Sequence, residues 1–221
     1  MYQMIIGLPR GEFEDEEFPL SGSDSFGLEA ETVTYLNGSA AITVGTAATE
    51  VTEDVTDVEF GDGFVENGTK TIHRGAATDF IADMRAGFVT IDSSDAEWLW
   101  KRIGIRAGAT IARAEIRLDQ LIEAIDDTGG AEYWHMCHDD GAGAQMTYHD
   151  HADPDAAGHV AQIGFEHMYD GELMYGVAAA SGYVALFDDH QPELVGRWLR
   201  DLVIPNARPE PEDDTQQTEL P

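Results

Sequence analysis

The apolar positions in the first ninety residues follow the short spacing of β-strands rather than the 3.6-residue spacing of helices. A short first strand is predicted over 2–8. In 51–59, Val recurs among acidic residues and Thr, which indicates a half-buried strand with one solvated face. The acidic run 11–25 is punctuated by Gly, Ser and Pro and is predicted to be a loop. The front of the chain is therefore predicted to be β-rich.

Two Asn-Gly dipeptides separate β-prone runs in this part of the chain. Asn-Gly between such runs is a strong hairpin signal, because both residues accept the positive φ of a type I′ turn. Two hairpins are therefore expected, with turns at Asn37-Gly38 between 28–36 and 40–47, and at Asn67-Gly68 between 58–65 and 69–74.

Helical periodicity begins after residue 93 and recurs three times. The first helix is predicted to start at Ser94, with Glu97 completing a capping box, and to end at Gly104. The third helix is predicted to start at Pro192, a favoured first helical position. The apolar stripes are Leu118, Leu121, Ile122 and Ile125 in the second helix, and Leu194, Val195, Trp198, Leu199, Leu202 and Val203 in the third.

Further strands are predicted between the second and third helices, and the last of them is expected to bend at Ser181-Gly182. The predicted fold class is therefore α+β: a β-rich N-terminal half with hairpins, then antiparallel strands packed by three amphipathic helices. These strands cover 132–138, 145–148, 159–168 and 173–187. The predicted divisions are 1–105, β-rich and ending in a helix, 106–204, α+β, and 205–221, a flexible acidic and Pro-containing tail, with one continuous domain over 1–204 as the alternative.

Two similar hexads suggest a two-fold internal duplication. AGFVTI at 86–91 and SGYVAL at 181–186 share a small residue, Gly, an aromatic residue and Val, and a Trp-containing helix is predicted after each. The alternative is a chance similarity of two strand–turn–helix units.

The charge balance identifies the solvent in which the protein works. The 221 residues contain 12 Lys plus Arg against 43 Asp plus Glu, a formal net charge of −31, and Lys occurs only at Lys70 and Lys101. In this acid excess and scarcity of Lys, the chain resembles halophilic proteins in general. At about 1 M salt the Debye length is only ~3 Å, so the self-repulsion of such a surface is largely screened.

The same charge excludes several classes of partner. No Lys/Arg cluster is present to neutralise phosphates, so nucleic-acid binding through a basic face and binding to an anionic membrane are not expected.

Residues 1–8 lack a basic n-region, and no apolar run is long enough to span a membrane, so neither a signal peptide nor a transmembrane segment is predicted. The expected location is the cytoplasm of a high-salt cell, or a particle.

A His- and Asp-rich run is the candidate for chemistry. In extended chain, His149, His151 and Asp153 face the same way, with His159 close behind. Imidazole and carboxylate together suit Zn²⁺ or another divalent metal, so these four residues form a predicted metal site. The alternative is a polar loop joining two strands. No cofactor is otherwise predicted, since motifs for nucleotide binding or nucleophilic catalysis are absent from the sequence.

Most aromatic residues fall on apolar stripes and are expected to pack in the core, but Trp98 and Trp100 are two positions apart on one helix. They cannot both face the same core, so at least one is predicted to lie at a second interface, between halves or between subunits.

Three functions remain open at this point. The favoured one is a non-enzymatic structural or interaction protein of a halophilic archaeon or its virus, which assembles with itself or with another protein. The second is a metal-dependent enzyme that uses the His149, His151 and Asp153 cluster, with His159 or His167. The third is a ligand-sensing regulatory domain.

Overall fold

One antiparallel sheet runs through the part of the chain that the structure describes. The computed structural model describes residues 1–13, 26–36, 39–60, 65–139, 145–149 and 159–211. Its strands are β1 (Tyr2–Pro9), β2 (Phe26–Leu36), β3 (Ser39–Phe60), β4 (Val65–Asp83), β5 (Phe88–Ile91), β6 (Ile111–Ile116), β7 (Glu132–Asp139), β8 (Gln145–His149), β9 (His159–Tyr169), β10 (Glu172–Ala179), β11 (Tyr183–Leu186) and β12 (Ala207–Pro209). The helices are α1 (Glu97–Arg106), α2 (Leu118–Asp126) and α3 (Pro192–Trp198), and a π-helical turn (Leu199–Val203) extends α3.

The first strand lies at the centre of the sheet. The order is β2-β3-β4-β5-β1-β11-β10-β9-β7-β8, and β6 joins β1 to β12. One edge of β1 pairs with β5, while the other pairs first with β11 and then with β6. A central strand needs apolar residues on both faces, and every residue from Met4 to Leu8 is buried.

Two hydrophobic clusters lie on opposite faces of this sheet. On the face covered by α1, the core includes Ile5, Phe80 and Trp100. On the face covered by α2 and α3, it includes Ile6 and Trp198. We call these faces the α1 side and the α3 side. The described chain is thus a mixed α+β fold in which strands dominate, as the sequence predicts.

The structure confirms which faces of the second and third helices are buried, and it corrects both ends of the first helix. The four apolar residues of α2 are buried, and α3 starts at Pro192. The capping box at Ser94 is wrong, because Ser94 begins a 3₁₀ turn that precedes α1 and no side-chain cap is made there. The first helix also continues past Gly104 to Arg106. In the described residues, no helix has the length and apolar character needed to cross a bilayer.

The predicted hairpins have different outcomes. Asn37-Gly38 lies outside the described residues, but its neighbours Leu36 and Ser39 are register partners, which confirms a two-residue connection. The turn at Asn67-Gly68 is wrong, because both residues lie inside β4. There the chain reverses between Phe60 and Val65, which pair with each other. Residues 61–64 lie outside the described part of the chain, and their sequence contains Asp-Gly, also a favoured hairpin dipeptide.

Three further differences concern the strands of the second half. The run 173–187 is a hairpin of β10 and β11 rather than one bent strand, since the chain reverses at 180–182. The strand β6 has no counterpart in the prediction. The predicted tail 205–221 begins with β12, which pairs with β6, and 212–221 lie outside the described residues.

The two similar hexads lie on either side of β1. Each contributes a strand, β5 or β11, that pairs antiparallel with β1. Gly87 and Gly182 both adopt positive φ at the turn before that strand, which explains why each hexad carries Gly there. Val89 faces the α1 side whereas the equivalent Val184 faces the α3 side. This geometry does not show a duplication of the two halves, which stays a prediction.

Candidate functional site

The α1 side of the sheet is only partly covered by helix. The helix α1 packs over β1, β5 and the adjoining part of β4, and it reaches Tyr183 of β11. Beyond Tyr183, the pairing of β11, β10, β9 and β7 continues the same face of the sheet. Among the described residues, no helix therefore covers the α1 side of β7, β9 and β10.

Aromatic side chains occupy this uncovered surface. The ring of Trp134 lies 5.5 Å from that of Tyr175 and 6.1 Å from that of Phe187, and the last two are 5.3 Å apart. Trp134 lies directly on Gly164, where an added Cβ would come within 2.7 Å of the indole ring. Its Nε1–H donates to the carbonyl of Phe165 at 3.3 Å. Close backbone approach thus fixes the orientation of Trp134 on the sheet.

Large apolar residues beside the rings are exposed. Met168 and Leu173 are register partners on β9 and β10, with 46% and 42% of their surface accessible, and Phe187 is 37% accessible. The aromatic patch is defined here as Trp134, Met168, Leu173, Tyr175 and Phe187. In soluble proteins, contiguous exposed apolar surface of this kind marks a site of interaction with another molecule.

Acidic residues border the aromatic patch. Glu166 lies opposite Tyr175 on one side and opposite Glu132 on the other. Like charges directly opposite each other weaken a sheet. Among the described residues, neither carboxylate has an ion-pair partner.

A two-stranded ribbon projects from the other half of the sheet. The strand β2 pairs with β3 only as far as Thr49, so in the described chain β3 continues with β4 as its sole neighbour. The ribbon is defined here as 50–60 of β3 and 65–75 of β4, which stay in unbroken register from Glu50↔Gly75 to Phe60↔Val65. Isolated two-stranded ribbons are marginal in water, which favours a role that involves contact with another surface.

The two faces of the ribbon differ in chemistry. The face on the α1 side carries half-buried Val51, Val55 and Ile72, interleaved with Lys70 and with the Arg74–Glu53 ion pair at 2.9 Å. The opposite face carries Thr side chains, carboxylates and His73, including hydrogen bonds from Thr71 to Asp54 and between Thr52 and His73. Over 50–56 and 68–75, the part of the ribbon whose side chains the structure describes, one face is therefore more apolar than the other, and no other described element packs on it.

The two Trp residues predicted at an interface lie in different surroundings. Trp100 is 3% exposed and donates to the carbonyl of Val89 at 3.0 Å, within the core of this chain. Trp98 is half-buried, packs edge-on against Phe26 at 6.0 Å, and lines a cleft with Val51 at the base of the ribbon. In the described residues its buried Nε1 has no hydrogen-bond partner. A role for Trp98 at a second interface stays a prediction.

The predicted metal residues lie mostly outside the described part of the chain. This holds for His151 and Asp153, and for the side chain of His149, whose backbone in β8 pairs with His135. His159 is exposed at the start of β9 and lines a cavity of about 910 Å³ beside α2. Within the described residues, no group of three or more His, Cys, Asp and Glu could hold a metal ion. The metal site stays a prediction.

His167 is fully buried and held by hydrogen bonds. The Nε1–H of Trp198 donates to its Nε2 at 2.9 Å, so the ring proton is on Nδ1. Nδ1 lies 3.2 Å from the hydroxyl of Thr128, which itself donates to the carbonyl of Ile125. Burial lowers the pKa of His167, and a backbone hydrogen bond at Met168 partly offsets this lowering. Both ring nitrogens of His167 are therefore held by neighbouring side chains, and its lowered pKa favours the neutral ring.

A second polar cluster ties the π-helical turn to the sheet. Tyr169 donates to Asp201 at 2.6 Å, and Arg200 donates to the same carboxylate at 2.7 Å. Burial would raise the pKa of Asp201, but these hydrogen bonds outweigh it and hold that pKa below its usual value. Burial, together with the hydrogen bond to Asp201, raises the pKa of Tyr169, so its hydroxyl stays protonated. The cluster satisfies its own groups and positions α3.

Comparison with known proteins adds no family to this description. No protein-family model matches the chain, and no curated protein matches it.

The aromatic patch was not predicted from the sequence, because most aromatic residues, with Trp134 and Tyr175 among them, were expected to pack in the core. One signal was present: in β10, apolar residues occupy both faces, Leu173, Tyr175 and Val177 on one and Met174 on the other. That pattern indicates a strand covered on both sides. In the described chain the α3 side is covered by α2 and α3, and no helix lies over the patch.

Proposed function

We propose that the protein is a non-enzymatic structural or interaction protein that associates with a second copy of itself in high salt. The observation that carries this proposal is the aromatic patch, an uncovered group of large apolar residues on a chain of net charge −31. Trp and Tyr are enriched at the centres of interfaces, where they supply most of the binding energy. A second copy is the simplest partner, because symmetric association needs only one self-compatible surface region.

High salt supports association through such a patch. Two copies repel each other strongly in dilute salt, but at about 1 M salt charges further apart than ~3 Å hardly interact. Apolar association is not weakened by this screening. The same conditions that stabilise so acidic a chain therefore also favour contact between its apolar surfaces.

Light scattering in about 3 M KCl tests the proposal, with Leu173→Glu as the variant. Placing a carboxylate among the rings is expected to shift the protein to the mass of a single chain, 24.1 kDa. Equal masses for the unmodified protein and Leu173→Glu at every concentration would contradict the proposal.

A further inference from the structure

We infer that two copies associate with α1 of each seated on the aromatic patch of the other, an inference that rests on the self-association proposed above. The helix and the patch lie side by side on the α1 side of the sheet, over neighbouring groups of strands. A two-fold axis between them places each helix over the other copy's patch, so both contacts form at once. The occupant of the patch is therefore α1 of a second copy.

The exposed large apolar residues of the described chain lie in these two places. Apart from Met1, they are Ile105 on α1 and three members of the patch, Met168, Leu173 and Phe187. Ile105 is the most exposed of them, with 79% of its surface accessible. The helix and the patch thus each offer water an apolar centre, and the contact between two copies buries both.

The outward face of α1 carries Ile105 between two cations. At 3.6 residues per turn, Ile105 points away from the buried residues of the helix, and Lys101 and Arg102 lie one turn before it on either side. Both cations are exposed, and neither has an ion-pair partner among the described residues. The single acidic residue of α1, Glu97, lies two turns from Ile105. In a chain of net charge −31, the surface around Ile105 is therefore basic.

The patch has the opposite arrangement, with carboxylates beside its apolar centre. Glu166 is the register partner of Tyr175 and of Glu132, so both carboxylates lie on the same face as the rings. Lys101 and Arg102 of a second copy relieve the repulsion between these two carboxylates. Apolar side chains thus meet apolar side chains while cations meet carboxylates, and this complementarity fixes the register of the two copies.

The height of α1 explains why a helix fits over the patch better than a second sheet does. Two sheets pack about 10 Å apart. A helix is itself about 10 Å thick, so α1 stands above the rings beside it and keeps a flat surface from reaching them. In the two-fold arrangement each helix fills the space over the other copy's patch, and the two helices form one layer between two sheets.

Charge exchange between two variants tests the contact. The helix variant carries Lys101→Glu with Arg102→Glu, and the patch variant carries Glu132→Lys with Glu166→Lys. Each variant has like charges at both contacts of its own dimer, whereas a one-to-one mixture forms a dimer with opposite charges at both.

The dissociation constants are measured by sedimentation equilibrium in about 1 M KCl, after far-UV circular dichroism has shown that each variant is folded. An exposed ion pair changes affinity by about three-fold, and each dimer contains several, so either variant alone is expected to bind at least about ten-fold more weakly than the unmodified protein. The mixture is expected to return to within about three-fold of the unmodified protein. Net charge alone predicts otherwise, because the patch variant is less acidic than the unmodified protein and would associate more tightly.

Ile105→Glu tests the apolar centre of the contact and is expected to dissociate the dimer as Leu173→Glu does. Gln191→Glu is the matched control for both substitutions. It adds the same carboxylate at an exposed position at the start of α3, on the other side of the sheet, and is expected to leave the dimer intact.

The outcomes separate this inference from the proposed function. If Ile105→Glu stays dimeric like Gln191→Glu while Leu173→Glu dissociates, the patch associates without α1 and only this inference fails. A mixture that associates no better than its two components overturns the contact of α1 with the patch. An unmodified protein that stays a single chain overturns both the inference and the proposed function.

Discussion

A buried imidazole makes stability depend on pH. In the folded chain, Trp198 donates to Nε2 of His167, and protonation of that nitrogen would break the bond and leave a charge in the core. Burial lowers the pKa of His167 in the folded chain, whereas the unfolded chain keeps the ordinary value near ~6.5. Between those two values the unfolded chain binds more protons, so stability is present above pH ~6.5 and is lost as the pH falls.

Chemical unfolding at a series of pH values from 7.5 to 5.5, at constant high salt, measures this effect. The free energy of unfolding is expected to fall by up to about 1.4 kcal/mol per pH unit for the contribution of His167. His167→Gln keeps an acceptor for Trp198 and a donor for Thr128 but does not titrate, so its pH dependence is expected to be shallower. Parallel pH profiles for the two proteins would contradict the role given to His167.

Gly164 sets the position of Trp134 in the patch. In Gly164→Ala the added Cβ would lie within 2.7 Å of the indole ring, which must move, at a cost of about 1–3 kcal/mol in unfolding free energy. The near-UV circular dichroism of the Trp residues is expected to change with it. Gly75→Ala is the matched strand control, because nothing lies within 4 Å of a Cβ built there, and its change is expected to be within about 0.5 kcal/mol. Equal effects of the two substitutions would refute the account of Gly164.

At the scale of elements, local chemistry predicts the helices better than the hairpins. The apolar stripe of α2 lies on one side of the helix and therefore predicts which face is buried. In the structure its four residues are buried, as predicted. Asn67-Gly68 carries a strong turn signal, yet the pairing of β3 with β4 continues beyond it for two further rungs, to Phe60↔Val65. A turn signal in a sequence is one local preference, whereas the register is set by every rung of the ladder together.

The ribbon is expected to be dispensable for folding, because β2 and the core end at its base. A shortened chain in which Asn-Gly replaces 53–72 joins Thr52 to His73, which are register partners. Its unfolding free energy is expected to stay within about 1 kcal/mol of the full chain. Loss of the folded state in circular dichroism would show that the ribbon is part of the folding unit.

At the scale of the whole molecule, the sequence predicts the fold class but not the exposed aromatic patch. The β-rich front and the three helices follow from the periodicity of the apolar residues. The central place of β1 does not, because partners such as Ile5 and Ile91, or Tyr2 and Leu186, are far apart in the chain. The same long-range pairing decides which face of β10 has no described helix over it. The sequence alone therefore could not distinguish Tyr175 from a core residue.

The net charge predicts a requirement for salt. Dialysis from about 3 M KCl to below about 0.1 M lengthens the Debye length from less than ~3 Å to ~10 Å and restores repulsion across the surface. The protein is expected to loosen or unfold, which far-UV circular dichroism and dye binding detect. Full retention of structure below about 0.1 M salt would contradict the halophilic interpretation of a net charge of −31.

The central claim is that the uncovered α1 side joins two copies of the chain in high salt. Sedimentation equilibrium of the unmodified protein in about 3 M KCl, over a series of concentrations up to the millimolar range, measures this most directly. The expected result is a mass that rises with concentration from 24.1 kDa towards twice that value. A mass of 24.1 kDa at every concentration would contradict the claim.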